Sequence, residues 1–407
     1  MRLWILGFLA FWPSVVALAQ PQPHFASQAI ILIGDGGAEQ VINLRDQIHA
    51  LTTQGIPATV IFLGDNIYPK GMPDKLSPDR PEAERRLMEQ LDLAAGAERI
   101  YVVPGNHDWK NGHHDGLSYL KNQQAFIDSL HKSNVYFLPR DGCPGPEEIK
   151  LADDVLLVVL NTQWFLHPWD KPEGDQSPCD SKSAADVTIH LDDMLNRNQG
   201  KRIIVAGHHP VYTYGPHGGV FTWKDHLFPL TAAQKNLYVP LPIVGSLVPL
   251  YRSVFGHVQD AAHPVNKALR HGLEDVLSAY PGTIYVSGHE HALQYTASDS
   301  VYYVVSGAAS KSSAVRQKGK ARFVSPDQGI AQLLLMKDGT INIEYYTLKG
   351  KVFETVVPKV KAYAPEKFVT SSADTLWVGS RASFQYDANN FRRRLLGANY
   401  RAEWALR

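Results

Sequence analysis

The chain has 407 residues, 40 basic and 40 acidic side chains, 44% apolar residues and only two cysteines. That apolar fraction excludes a mostly disordered chain, and a length allowing roughly 100–200 residues per domain admits two or three domains or one large one. A formal charge of zero offers no electrostatic case for nucleic acid as a partner, and two cysteines build neither a disulfide scaffold nor a thiolate zinc cluster.

Arg2 precedes an apolar run from Leu3 to Ala19 that ends in the small-x-small sequence Ala17-Leu18-Ala19. This reads as a cleaved secretory signal over residues 1–19; Pro13 and the cleavage-like end argue against a retained anchor. The expectation is an exported chain, periplasmic or secreted, with a linker over residues 20–27. In an oxidising compartment Cys143 and Cys179 favour a disulfide over two free thiols, closing a loop around the apolar strand 155–160.

From residue 28 onward, short β-branched runs each end in a polar cluster containing glycine. Ala29–Ile33 runs into Gly34-Asp35-Gly36-Gly37, Thr59–Leu63 into Gly64-Asp65-Asn66-Ile67-Tyr68, and Ile100–Val103 into Gly105-Asn106-His107-Asp108. Arg202–Ala206 leads to Gly207-His208-His209-Pro210, and Thr283–Ser287 to Gly288-His289-Glu290-His291. Helices are predicted over 38–53, 80–96, 118–132, 184–198 and 265–279. Strand alternating with helix implies a buried, largely parallel sheet with ligands beyond its carboxyl edge.

After His291 the pattern turns to strands at 301–306, 329–336, 340–346 and 351–357, which would complete a second sheet packed on the first. The fold class is therefore α/β, a two-sheet β-sandwich flanked by helices, occupying residues 28–357. The apolar stretch 237–251 carries three prolines and is too short for a membrane span. It reads as a buried or pocket-lining loop, with a lipid- or partner-facing flap as the alternative. Residues 358–407 form a C-terminal extension in which Phe391–Arg407 holds five arginines against one acid.

Singly, most of these clusters are turns. Jointly they set two aspartates, an asparagine, three histidines and a tyrosine at one sheet edge, where packing gives no reason to collect them. Oxygen and imidazole donors without thiolate suit iron, manganese and zinc. Seven donors exceed the need of one four-coordinate ion, so two metals sharing a carboxylate fit better.

The order GD-x-G, GD-x-x-Y, GNH-[DE], V-x-x-H, GH-x-H resembles the purple acid phosphatases within the calcineurin-like metallophosphoesterase superfamily. The resemblance spans roughly residues 28–350 and implies a four-layer αββα fold. It implies Asp35, Tyr68 and His291 around ferric iron, Asn106, His208 and His289 around a divalent ion (Fe, Zn or Mn), and Asp65 bridging them. The superfamily usually has a histidine two residues after the first aspartate, where this chain has Gly37; the phenolate of Tyr68 compensates and favours a trivalent ion.

Two cations lower the pKa of a bound water, and the resulting hydroxide attacks phosphorus. His107 and His217 are assigned to phosphate contact and leaving-group protonation, with Asp108 orienting His107; mammalian-type purple acid phosphatases also place a histidine at the position of His217. The expected activity is hydrolysis of small phosphate monoesters. A phosphodiesterase or nucleotide hydrolase with the same site, and a metal-bearing recognition domain with little turnover, are the alternatives. Phe391–Trp404, especially Leu396–Trp404, resembles the connector that joins such phosphoesterases to an outer-membrane barrel in bacterial proteins, which implies outer-membrane association through the extension.

Overall fold

The computed structural model describes residues 26–232 and 237–359. The signal segment, most of the 20–27 linker and all but the first two residues of the extension lie outside the described residues.

Strands β1 (Ala26–Ile33), β2 (Ala58–Leu63), β3 (Arg99–Val103) and β4 (Val135–Phe137) are mutually parallel neighbours. Beside β1 lies an antiparallel meander that returns from the far end of the domain. Before it in the chain come β5 (Glu147–Ala152), β6 (Val155–Val159), β7 (Arg202–Ala206), β8 (Ile284–Ser287), β9 (Leu293–Ser298), β10 (Val301–Ser306) and β11 (Ala321–Ser325). The meander itself is β12 (Gly329–Met336), β13 (Ile341–Thr347) and β14 (Gly350–Val357).

One seven-stranded sheet runs β14-β13-β12-β1-β2-β3-β4 and the other β11-β9-β10-β8-β7-β6-β5. Both sheets are mixed, each with a run of four parallel strands. The five polar clusters are thus shared between two sheets, three on the first and two on the second, which corrects the expectation of a single sheet edge. β12 to β14 also extend the first sheet, where a second had been expected.

Alternation along β1 explains the layering. Ile30 and Leu32 point between the sheets, where they meet Ile61, Leu63, Ile204 and Val286, while Ile31 and Ile33 point out to the helices. Helices α1 (Arg45–Thr52), α2 (Arg80–Leu93) and α3 (Gly116–Ser129) cover the first sheet. After the short α4 (Thr162–Leu166), α5 (Ala184–Arg197) packs on the second sheet, its N-terminus capped by the Ser183 hydroxyl accepting from the Asp186 N–H. Four layers result, helix–sheet–sheet–helix. The order is completed by α6 (Trp223–Leu227), α7 (Leu247–Val254) and α8 (Pro264–Ser278), the last packing against the second sheet.

Cys143 and Cys179 are disulfide-bonded. The stretch 237–251 is not a buried loop, although Gly245 and Pro249 within it are buried. Its second half is a one-turn 3-10 helix running into α7, and most of its apolar side chains face solvent.

Candidate metal centre

The carboxyl ends of β1, β2, β3, β7 and β8 meet where the two sheets face each other, and backbone hydrogen bonds lock the loops together. Gly34 N–H donates to Ser306, Asp35 N–H to Gly64 and Gly288 N–H to His208. Asp35, Asp65 and His289 all adopt positive φ, at 58°, 54° and 66°. Such backbone is uncommon outside glycine and gathers where a chain must turn a side chain back on its own strand. Gly105 is required by proximity, since a Cβ there would lie 2.3 Å from the Asp65 backbone nitrogen and its carboxylate.

The first group of donors surrounds the Tyr68 hydroxyl. Asp35 Oδ1 lies 2.9 Å from it, Asp65 Oδ2 3.0 Å and His291 Nε2 3.1 Å. In the second, Asn106 Oδ1 lies 3.1 Å from both His208 Nε2 and His289 Nδ1, which are 3.2 Å apart. Asp65 faces both groups, with Oδ2 toward Tyr68 and Oδ1 3.4 Å from His208 Nε2. All seven residues expected to bind metal therefore converge.

Their chemistry fits a pair of cations. His208 Nδ1 lies 2.8 Å from the Leu63 carbonyl oxygen, and His289 Nε2 lies 3.0 Å from that of Gln259. A carbonyl only accepts, so these nitrogens carry the protons and the opposite nitrogens, aimed at Asn106, keep free lone pairs. Burial holds His289 well below its ordinary pKa and, with the nearby Lys311 charge, brings His291 down to about 4, so both are neutral as ligands must be.

Burial lifts Asp35 to about 7 against the pull of His208. The Tyr68 phenol is pushed well above 10 by burial and the two carboxylates. Asp65 goes the other way, because His208, His107 and the His107 N–H outweigh its burial. A buried carboxyl and a phenol that hold their charge poorly alone, beside a carboxylate that keeps its own, are what a cation would stabilise.

Asp35, Asp65 and His291 form one potential metal group and His208, His209 and His289 another. His209 is nonetheless occupied at both ring nitrogens, by Thr162 Oγ1 at 2.8 Å and Gln259 Oε1 at 2.7 Å, which leaves that place to Asn106.

The residues expected to act on substrate separate. The His107 ring packs on Tyr68, centroids 4.5 Å apart, and its Nδ1 lies 2.5 Å from the Pro69 carbonyl oxygen. Burial lowers its pKa. Asp108 does not orient it. Fully buried, Asp108 accepts from Gly105 N–H at 2.7 Å and from the backbone and side-chain N–H groups of Asn66, at 3.1 and 3.0 Å, so it ties the β2 loop to the β3 loop. Burial lifts its pKa to about 8.

His217 stacks on His289, centroids 4.1 Å apart, and its Nδ1 lies 2.9 Å from Asp260 Oδ1. Burial works against its charge, but the Asp260 hydrogen bond and the Glu290 carboxylate outweigh it and raise its pKa.

Asp260, Arg252 and Lys311 carry no motif. Asp260 accepts from Arg252 Nε at 2.9 Å as well as from His217, and the Lys311 ammonium lies 3.0 Å from the Tyr68 ring centroid. Glu290 was legible only as the residue between two histidines, yet it accepts from Thr213 Oγ1 and from the His217 N–H.

A family model for calcineurin-like phosphoesterases matches residues 23–293, and the chain belongs to that family. Over 321 residues it is 22% identical to tartrate-resistant acid phosphatase type 5 of Mus musculus, spanning 75% of this chain and 78% of that protein. It is 23% identical over 218 residues to purple acid phosphatase 7 of Arabidopsis thaliana, 52% of this chain and 63% of that one. Among solved structures, GAP50, the anchor in the inner membrane complex of Plasmodium, shares the fold with a TM-score of 0.50 and 17% identity, over 83% of this chain and 90% of that one. The protein is a metal-dependent phosphoric ester hydrolase related to the purple acid phosphatases.

Proposed function

We propose that this chain is an exported phosphatase with a two-metal centre, Fe(III) plus a divalent ion, that hydrolyses small phosphate monoesters. The observation that carries the reading is Asp65, whose two oxygens face separate donor groups. Tyr68, Asp35 and His291 would hold the trivalent ion and Asn106, His208 and His289 the divalent one. The phenol supports the trivalent assignment, because burial and two carboxylates keep its proton on unless a strongly charged cation displaces it. The signal-like segment and the Cys143–Cys179 disulfide support export.

The metals, when bound, would polarise a phosphate oxygen and supply a nucleophile below neutral pH. The chain's own residues do the rest. His217, its Nδ1 held by Asp260, directs Nε2 to protonate the leaving oxygen. His107 keeps its Nδ1 proton on the Pro69 carbonyl, and its Nε2, 3.9 Å from Asp65 Oδ2, would donate to a phosphate oxygen only once protonated. Lys311 adds positive potential beside Tyr68, where an anionic ester would arrive.

Hydrolysis of a chromogenic monoester and the matching diester, measured from acidic to neutral pH together with bound metal, tests the reading. Monoester preference with activity falling above neutral pH is the expected result. Diester preference would keep the metals and discard the monoester assignment, and bound metal with no turnover would replace it with a recognition role.

A further inference from the structure

Beside the metal centre the chain raises an apolar flap. α6 is fixed by a capping box in which the Thr222 hydroxyl accepts from the Asp225 N–H and the Asp225 carboxylate accepts from the Thr222 N–H. α6 packs on α7 and on the turn Val244–Ser246, with the Leu241 N–H donating to Leu227 and His226 Nδ1 3.1 Å from Ser246 Oγ.

A helix on a domain surface ordinarily buries its apolar stripe. α7 does the reverse. Of its eight residues only Pro249 is buried, and Leu247, Tyr251 and Val254 stand more than half exposed, as do Trp223, Ile243 and Phe255 around it. Ile243 at the loop tip is 89% exposed and reaches that position with a φ of 66°, which a β-branched side chain rarely adopts. Apolar patches of this kind on a folded surface mark contact with another body.

Charge and side-chain type identify it. From His226 to Gln259 there is no acidic residue, and the one carboxylate of α6, Asp225, is engaged by the Thr222 N–H and hydroxyl. Protein interfaces need about one hydrogen bond per 100–200 Å², whereas this face presents hydrocarbon and aromatic rings. Trp223 and Tyr251 are ring types that settle at lipid headgroups, and Lys224 flanks them. No helix among the described residues is long and apolar enough to cross a membrane, so the flap would lie on a bilayer rather than span it.

We propose that this flap docks on an anionic phospholipid surface, with Trp223, Ile243, Leu247, Tyr251, Val254 and Phe255 at the headgroup–acyl boundary. Arg252 of the same helix turns inward to Asp260, which holds His217, so docking sets the His217 side of the metal centre against the lipid. The proposal does not depend on the identity of the substrate.

The test uses the full chain with vesicles of phosphatidylglycerol and phosphatidylcholine, and compares it with Leu247→Ser/Tyr251→Ser/Val254→Ser and with Ile243→Ser alone. Vesicles should protect the amides of Leu247–Phe255 from hydrogen exchange. The triple variant should partition roughly tenfold less and the single variant a few-fold less, with bound metal and hydrolysis of a soluble phosphomonoester unchanged in both. Because Ile243 is nearly all in solvent, its variant keeps the test decisive if the triple one misfolds. Absence of protection, or partitioning of Ile243→Ser and the folded triple variant equal to wild type, would overturn the proposal. So would a concentration-dependent dimer lost in the variants without any lipid effect, which would assign the face to a second copy.

Discussion

Asp260→Asn isolates the proton-donor assignment without touching a metal donor. The carboxylate is buried and accepts from His217 Nδ1 at 2.9 Å, Arg252 Nε at 2.9 Å, Arg252 Nη2 at 2.5 Å and the His257 N–H at 2.9 Å. Asparagine keeps the shape, removes the charge and turns an NH2 group toward one of these donors. Hydrogen bonds to a charged group contribute about 1.5–3 kcal/mol each, and breaking a buried pair costs about 3–5 kcal/mol. The Arg252 side chain is 26% exposed, so water recovers part of that and a loss of about 2–3 kcal/mol is expected.

The pH at which the loss appears follows from the two shifts. His217 is raised above 6.5, so its contribution is complete below 6.5 and fades as pH climbs through the raised value. Asp260 is held below 3.8, so its contribution is present above 3.8 and fades as pH falls through the lowered value. The variant should therefore lose most stability between about pH 4 and 6.5. In kinetics, His217 loses the partner that keeps it protonated. The high-pH limb of kcat/KM should move to lower pH, and activity near neutral should fall roughly 10–100-fold, part of the 10²–10⁴-fold that a general acid supplies. Esters of poor leaving groups should suffer more than esters of good ones. An unmoved limb with equal losses across leaving groups would refute the role of His217 as acid.

Asp65→Ala should leave the chain without its complement of about two metal ions, and full metal content by elemental analysis would discard the bridging role. Tyr68→Phe, reconstituted with ferric ion, should lose the visible tyrosinate-to-iron absorption while its far-ultraviolet dichroism stays native. Gly37→His should not restore the donor common in the superfamily, because its Cβ would sit 2.5 Å from the backbone of Asn66 and Ile67; a stability loss above about 3 kcal/mol on thermal unfolding is expected, without gain in metal affinity. Cys143→Ser with Cys179→Ser opens a 36-residue separation and should lower stability by about 2–4 kcal/mol in denaturant titration, leaving metal content intact.

The seven converging side chains were legible because each follows an apolar run that can only be a buried strand, and glycine marks where the chain must turn. Their division between two sheets was not. A five-residue buried strand such as Arg99–Val103 reads alike whichever sheet it joins, and β12 finds β1 only through the tertiary return of the chain. β4 is three residues long, and β5 alternates charge with apolar side chains at a sheet edge, so neither stood out. The flap failed for another reason. Hydropathy reports what a segment is made of, and burial depends on what comes to cover it; for α7 nothing in the described chain does.

His107 and His217 show how far residue type alone carries a mechanism. Both are histidines beside metal donors, and on sequence both qualify for the same work. Their second partners separate them. A carbonyl oxygen holds the His107 Nδ1 proton and adds no charge, so burial outweighs the Asp65 carboxylate 3.9 Å away and lowers the pKa of the ring. A carboxylate holds the His217 Nδ1 proton, and its charge with that of Glu290 outweighs a comparable burial, so the ring stays protonated to higher pH. Opposed shifts in neighbouring groups of one site are the physical basis for dividing acid from acceptor. The His217 shift acts chiefly through Asp260, which carries no motif of its own and lies 43 positions beyond the histidine it holds. The proposed division of labour would therefore be a property of the folded loops, and the Asp260–Arg252 pair is where it can be tested without disturbing a proposed metal donor.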